Sequence, residues 1–423
     1  MEKKRLNEGM SEQGKLFASM FKWIILATVS GAVIGACASM FAKGITWATE
    51  FRMANPFIVI GLPIGGAFIV WMYHFTKQGN NSGTNLMMKA VREGEYIPLR
   101  VAPLILISTI ITHFFGGSSG REGAALQFGG SVGNFLGKTF HLNEDDTKII
   151  ILASMSAAFS TLFGTPLAAA IFPMEVISIG VMYYSALVPC VFASFVAQHI
   201  SLMFHIRTIQ TPYPVEDIPS FYGISGIKIM ALAIACAFVG SLFCIMLRRT
   251  EGFYEANMEN KYIRVAIGGF IVVIFSFVLQ TQDYLGLGTQ IIHSSFAEAS
   301  RPEAFLLKLI FTCLTLCAGY KGGEIVPSLF IGATMGSAMS LLLGLPVELC
   351  AACGMVGVFC AVTNSPISSM LIAFELFGFE GMPYFCVVVA ISYMLSGYYS
   401  LYSEQKIVYS KIRPRFINRN PNS

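Results

Sequence analysis

The chain has 423 residues, of which 55% are hydrophobic and only 12% charged, with a formal net charge of +4 and a mean hydropathy of +0.65. Soluble globular proteins carry about 25% charged residues, so this chain lacks the charge to cover a water-facing surface of its size. That excludes a cytosolic multidomain enzyme, a disordered protein and a nucleic-acid binder, and leaves one polytopic membrane domain.

Residues 1–15 are polar and basic, with Lys3, Lys4, Arg5 and Lys15. The apolar run that follows, Phe17–Phe41, is too long for a cleavable signal, and more such runs come after it. Spans are predicted near 17–41, 56–75, 149–172, 180–204, 227–247, 264–280, 304–318, 328–344 and 382–401. A spanning helix needs about 20 apolar residues, and several of these segments are shorter or broken by glycine and proline. Residues 101–137 show the break best: an apolar half, then GGSSGREG, then a second apolar half. Broken helices at membrane depth are tolerated only where protein or a cavity surrounds them, and they point to a transport site. The end of the chain, 403–423, is a short basic tail with Lys406, Lys411, Arg413, Arg415 and Arg419. Basic flanks at both ends predict two cytoplasmic termini and an even number of crossings, with no regulatory domain after the last span.

The chain repeats itself. Gly120, Glu122, Phe128 and Gly130 fall opposite Gly322, Glu324, Phe330 and Gly332 at a constant offset of 202. Pro166 and Glu175 fall opposite Pro366 and Glu375 at an offset of 200. This predicts a first transmembrane repeat over 16–205, a linker over 206–224 and a second repeat over 225–402. Repeats with an odd number of crossings each would be inverted relative to one another. Such halves place a binding site near the bilayer midplane, where they meet.

The ten cysteines lie in apolar stretches, where free cysteine packs as a small hydrophobe. Cys350 and Cys353 form a CxxC, but no further ligands stand at metal spacing. No metal or cofactor is expected.

The sharpest motif is Gly116–Ala124, GGSSGREGA. Intramembrane charges are costly and face a cavity or a partner. Here Arg121 and Glu122 are adjacent and flanked by Gly120 and Gly123. Glycines let backbone amides approach a ligand, and the helix that follows presents a positive N-terminus that favours an anion. A carboxylate at that point can take the anion's place and leave when protonated or displaced. The bland alternative is an Arg–Glu pair that caps a helix.

The GREG run followed by a glycine-rich helix resembles the CLC family of chloride channels and proton-coupled anion antiporters. KGGEIVP resembles that family's second anion loop, FGTPLAAAIFPMEV the segment between the two, and SLYSEQ the start of its last helix with a pore tyrosine. The resemblance runs over about residues 20–405. It implies an all-α inverted-repeat bundle of tilted, often half-length helices, assembled as a homodimer with one pathway per subunit. It also implies that Glu122 is the external gate, that the amides of Ile325 and Val326 hold the central anion, and that Tyr402 supplies an inner hydroxyl. Tyr409 is a weaker candidate for that hydroxyl. The first anion loop matches GNNSGTNLMM, where either Ser82 or Thr84 can be the hydroxyl donor; an ordinary polar turn explains it equally well.

Three departures bear on subtype: Ala124 stands where GREG is usually followed by proline, Glu324 stands in the second loop, and Val176 follows Glu175 where proton-coupled chloride exchangers carry an internal glutamate. The combination resembles the fluoride/proton antiporter branch. Glu324 beside the central site could relay a proton to Glu122; otherwise it pairs with Lys321 or caps a helix. The symmetric Glu175 and Glu375 read as structural, capping or pairing at a helix end. His113 reads as a buried, hydrogen-bonded histidine, and Met87 and Met88 as packing. The expected function is halide transport, of chloride or fluoride, coupled to protons through Glu122. The alternatives are a passive chloride channel of the same fold and, more remotely, an intramembrane serine enzyme using GGSSG.

Overall fold

The computed structural model describes residues 2–79, 83–206, 215 and 218–421, with side chains from residue 12 onward. Ser82 lies outside the described residues. The described chain is mostly helical, and its α-helices fall into two series of eight. The first is α1 (Glu2–Ala54), α2 (Leu62–Phe75), α3 (Thr84–Glu93), α4 (Val101–Phe114), α5 (Glu122–Thr139), α6 (Glu144–Phe163), α7 (Pro166–Val176) and α8 (Leu187–Met203). The second is α9 (Ile224–Asn257), α10 (Lys261–Val278), α11 (Thr289–Ala297), α12 (Ala304–Ala318), α13 (Ile325–Leu343), α14 (Val347–Thr363), α15 (Pro366–Phe377) and α16 (Met382–Leu395). Among the described residues, seven helical segments are long and apolar enough to cross a membrane, and six more apolar helices are shorter.

The same local chemistry sets helix ends in both series. α6 stops at Gly164, φ +81°, followed by Thr165 and Pro166. α14 stops at Asn364, φ +58°, followed by Ser365 and Pro366. A left-handed residue ends the helix, the residue before proline is pushed out of the α region, and proline opens the next helix where its missing N–H is harmless. The predicted span 149–172 is therefore two helices. The apolar run continues across the break, which is why hydropathy alone joins them.

Close packing relies on small residues at four-residue spacing. A Cβ on Gly129 or Gly133 of α5 would strike Ser154 of α6. Gly332 and Gly336 of α13 lie against Gly354 and Cys350 of α14 in the same way. Lipid offers no hydrophobic drive between helices, so backbones must approach closely for dispersion to hold them.

The two series are tied by reciprocal contacts. The Glu175 carboxylate, at the end of α7, accepts from the amides of Ile367 (2.9 Å) and Ser368 (2.8 Å) and from the Ser368 hydroxyl (2.6 Å), at the start of α15. Glu375, at the end of α15, accepts from the amides of Leu167 and Ala168, both at 2.9 Å, at the start of α7. Each carboxylate thus satisfies the orphan amides of the other series' helix. The capping expected of this symmetric pair is present, and it acts across the two series rather than within one.

Three features differ from the sequence reading. α14 was not anticipated as a helix of its own; it is almost entirely buried, so it has no amphipathic period to read. The span expected over 382–401 ends at Leu395. No helix begins at SLYSEQ: the chain makes a turn there and enters β2 (Lys406–Tyr409) and β3 (Phe416–Arg419), an antiparallel pair, with β2 parallel to a short β1 (Ser178–Ile179). The basic end of the chain is thus folded back onto the body.

Candidate functional site

The two glycine loops meet backbone to backbone. Gly120 N–H donates to the Gly323 carbonyl at 2.6 Å, and Gly323 N–H donates to the Gly120 carbonyl at 2.8 Å, in one antiparallel bridge. Only glycine fits. A Cβ on Gly120 would lie 3.0 Å from the Gly323 oxygen and 3.1 Å from the Val326 nitrogen, and one on Gly323 would lie 2.6 Å from the Gly123 nitrogen. The bridge sets the N-termini of α5 and α13 side by side. Among the described residues, no group accepts from the amides of Ile325 or Val326. Two positive helix ends therefore address one small region.

Glu122 is the first residue of α5 and has no exposed surface. One carboxylate oxygen accepts from the Arg121 amide at 3.1 Å, and the other lies 3.5 Å from the Arg121 Nε with no hydrogen-bond partner. Arg121 also donates to the Leu162 carbonyl at 3.1 Å, in the last turn of α6. The guanidinium is thus fixed by a helix C-terminus as well as by Glu122. The Arg–Glu pair is real, but neither side chain caps α5.

Glu324 precedes α13. It makes no side-chain capping bond, and no ion pair within 4.0 Å joins it to Lys321, whose ammonium sits 4.7 Å above the Tyr73 ring. Lys321 stays within electrostatic reach of the Glu324 carboxylate without a direct contact. That carboxylate turns towards the first turn of α5, 3.5 Å from where a Cβ on Gly123 would stand. Glu122 and Glu324 therefore flank Gly123.

Tyr402 is 2% exposed and its hydroxyl has no partner. It lies within electrostatic reach of both Glu324 and Glu122. The turn that carries it is clamped by Glu404, whose carboxylate pairs with Lys89 (3.3 Å) and Arg92 (3.7 Å), while its amide donates to Asn85 (3.2 Å). Beneath it, buried Gln405 donates to the carbonyls of Val176 and Thr363, both at 2.8 Å. Tyr409 sits apart on β2, 46% exposed, with its ring edge-on to Phe416.

Thr84 opens α3, buried, with Gln127 of α5 donating weakly to its hydroxyl at 3.4 Å. Met87 and Met88 are fully buried in the same helix. The sequence reading took Ser119 only as a possible nucleophile in GGSSG and gave it no place beside the two loops. Its hydroxyl is buried without a partner and abuts Gly322 of the second loop. Buried polar groups are almost always paired, so the unpartnered atoms of Ser119, Glu122 and Tyr402 mark a polar site. Its signal in sequence was only position, next to the bridging glycine. Ser118 bonds to Thr312 and Thr315 of α12, and His113, the histidine nearest in sequence, is held by the Thr109 carbonyl at 2.8 Å. Serine chemistry would need a base in hydrogen-bond reach, and among the described residues neither serine has one.

Residues 65–397 match the family model for voltage gated chloride channels. The chain is 33% identical over 407 residues to the "Chloride/fluoride channel protein" of Pseudomonas syringae pv. tomato, covering 95% of this chain and 90% of that one. The crystal structure of a CLC-type fluoride/proton antiporter superposes with a TM-score of 0.87 at 32% identity, over 91% of this chain and 98% of that one. A slow cyanobacterial chloride/proton antiporter shares the fold at 19% identity, with a TM-score of 0.78 over 88% and 94% of the two chains. With paired glycine loops, reciprocal helix caps and these relatives in agreement, the chain is a member of the CLC family of voltage-gated chloride channels and their antiporter kin.

Proposed function

We propose that this protein exchanges a halide for a proton across a bacterial plasma membrane. Fluoride is the favoured halide, since the relatives at 32% and 33% identity carry fluoride in their names. The observation that carries the reading is the Gly120–Gly323 bridge, which sets two helix N-termini side by side, with the buried Glu122 at one and the partly buried Glu324 at the other. The amides of Ile325 and Val326, with the Tyr402 hydroxyl, form the central anion seat. Gly120, Arg121 and Gly123 form its rim, and Thr84 lines the approach along α3. Glu122 competes with the anion for the positive field and gives way when protonated. Glu324 takes that proton on the other side of Gly123. The two series of helices, 16–205 and 225–402, act as inverted repeats, which fits both their reciprocal contacts and two cytoplasmic termini. The working unit is a homodimer in the lipid bilayer. A passive channel needs one gating carboxyl; the second one beside it favours exchange.

Proteoliposome flux with halide and pH recorded together tests this. Wild-type protein should move protons uphill when driven by a halide gradient. Glu122→Gln should abolish that coupling and leave at most passive halide flux. Stoichiometric coupling retained in Glu122→Gln would reject the gate assignment.

A further inference from the structure

A second cluster of cations lies outside the central seat. A cavity of about 880 Å³ is lined by Arg121 together with Arg52, Thr49, Ser276 and Gln282. Arg52 stands in the last turn of α1 and is 4% exposed. Its Nε and Nη1 are buried and have no hydrogen-bond partner. The guanidinium lies flat on Gly286, with both Nη atoms 3.3 Å from where a Cβ would stand, and its stem rests on Gly116 of the first glycine loop. The two carboxylates on the cavity wall, Glu50 and Asp283, are exposed, and neither comes within 4.0 Å of it.

Lys308 stands close by, fully buried. Its ammonium donates to the carbonyls of Tyr284 (3.1 Å) and Gly286 (2.7 Å) and lies over the Phe330 ring. No carboxylate neutralises it among the described residues. His113, also fully buried, leaves Nε2 without a partner. So Arg52 and Arg121 line the cavity, Lys308 lies behind Arg52 at the shared Gly286, and no buried carboxylate stands on the cavity wall among the described residues. Buried charges persist only with a partner, and an arginine with free, desolvated donors is a site built for an anion.

We propose that Arg52 forms the base of a second anion site, an antechamber that holds one small monovalent anion between the solvent and Glu122. The inference rests on the transport reading and adds a waiting position to it. α1 starts at the N-terminal side and Arg52 ends it, so with a cytoplasmic N-terminus the antechamber faces outward. An anion here shares the cavity with Arg121 and so stands ready to replace Glu122 when that side chain leaves.

The test has two arms. Crystals of the full chain are soaked in bromide, whose anomalous signal locates it, for wild type, Arg52→Gln and Arg52→Lys. Zero-trans halide uptake is then measured for the same three in proteoliposomes. A bromide peak at the guanidinium that vanishes in Arg52→Gln and returns in Arg52→Lys supports the site. So does a rise in the uptake KM of about tenfold in Arg52→Gln with little change in maximal rate, the size expected when one charge-assisted contact is lost. No peak at Arg52 in wild type, or a peak that persists in Arg52→Gln, overturns it. A peak with an unchanged KM is an adventitious ion only and also overturns it. If wild type passes no halide, the transport reading falls, while bromide at Arg52 still decides whether the anion site exists.

Discussion

Gly323→Ala is the most direct challenge to the bridge. The new Cβ would lie 2.6 Å from the Gly123 nitrogen and 3.0 Å from its Cα, where ordinary contact begins near 3.4 Å. Both neighbours are backbone, so no side chain can swing aside. The loops must part by about 0.8 Å, which stretches the bridging hydrogen bonds of 2.6 and 2.8 Å past the range of good geometry. Two lost bonds at about 1 kcal/mol each, and about 1–3 kcal/mol for overpacking, predict a loss of about 3–5 kcal/mol. The same shift moves Glu122 and the amides of Ile325 and Val326 apart, so coupled flux should fall much further than protein yield. Thermal unfolding in detergent and paired halide and proton flux measure the two effects. Gly252→Ala is the control, because a Cβ there meets nothing within 4 Å, and it should behave as wild type. Wild-type stability and coupling in Gly323→Ala would refute the claim that this contact assembles the site.

Two further outcomes follow from the same geometry. Glu324→Gln should reduce proton movement more than halide binding, read by flux with pH recording beside equilibrium halide titration; an equal loss of both would make Glu324 a structural residue. Glu175→Ala should destabilise the protein by about 3 kcal/mol or more, since charge-assisted hydrogen bonds contribute about 1.5–3 kcal/mol each and this carboxylate accepts three. Glu375→Ala should cost less, because that side chain is half-exposed and accepts two; the reverse order in thermal unfolding would contradict the capping account.

Much of the site was legible because its physics is written in rare residues. A charge pair between glycines inside an apolar run has few bland explanations, and the recurrence of its glycine and glutamate 202 positions later located the partner loop. The pairing of Glu175 and Glu375 was visible as symmetry, but not the crossing of each onto the other's helix, which only the fold supplies. α14 stayed hidden because a helix buried on every side has no period to betray it. Arg52 and Lys308 were hidden for a different reason. Each stands alone in sequence near the end of an apolar run, where a lone cation reads as an interfacial flank. Their meaning comes from the loop around Gly286, far along the chain from Arg52, which seals both from water. The strands KIVY and FINR were lost among the basic residues that surround them.

The arrangement also gives a physical basis for the proposed exchange. Two helix N-termini, each equivalent to roughly half a positive charge, converge where Glu122 sits beside Arg121. That field stabilises one negative occupant well. A second one nearby is repelled: two like charges ~5 Å apart at an effective dielectric of 20 oppose each other by about 3 kcal/mol. On the proposed reading the seat holds either the Glu122 carboxylate or the anion, and the carboxylate yields most readily by taking a proton. In the proposed mechanism Glu324, placed across Gly123 with no capping bond and no ion pair within 4.0 Å in the described residues, is the group that receives that proton. Coupling then follows from there being one positive seat and two mobile claims on it. A site with the same dipoles but no second carboxyl would bind anions as well and exchange them without protons.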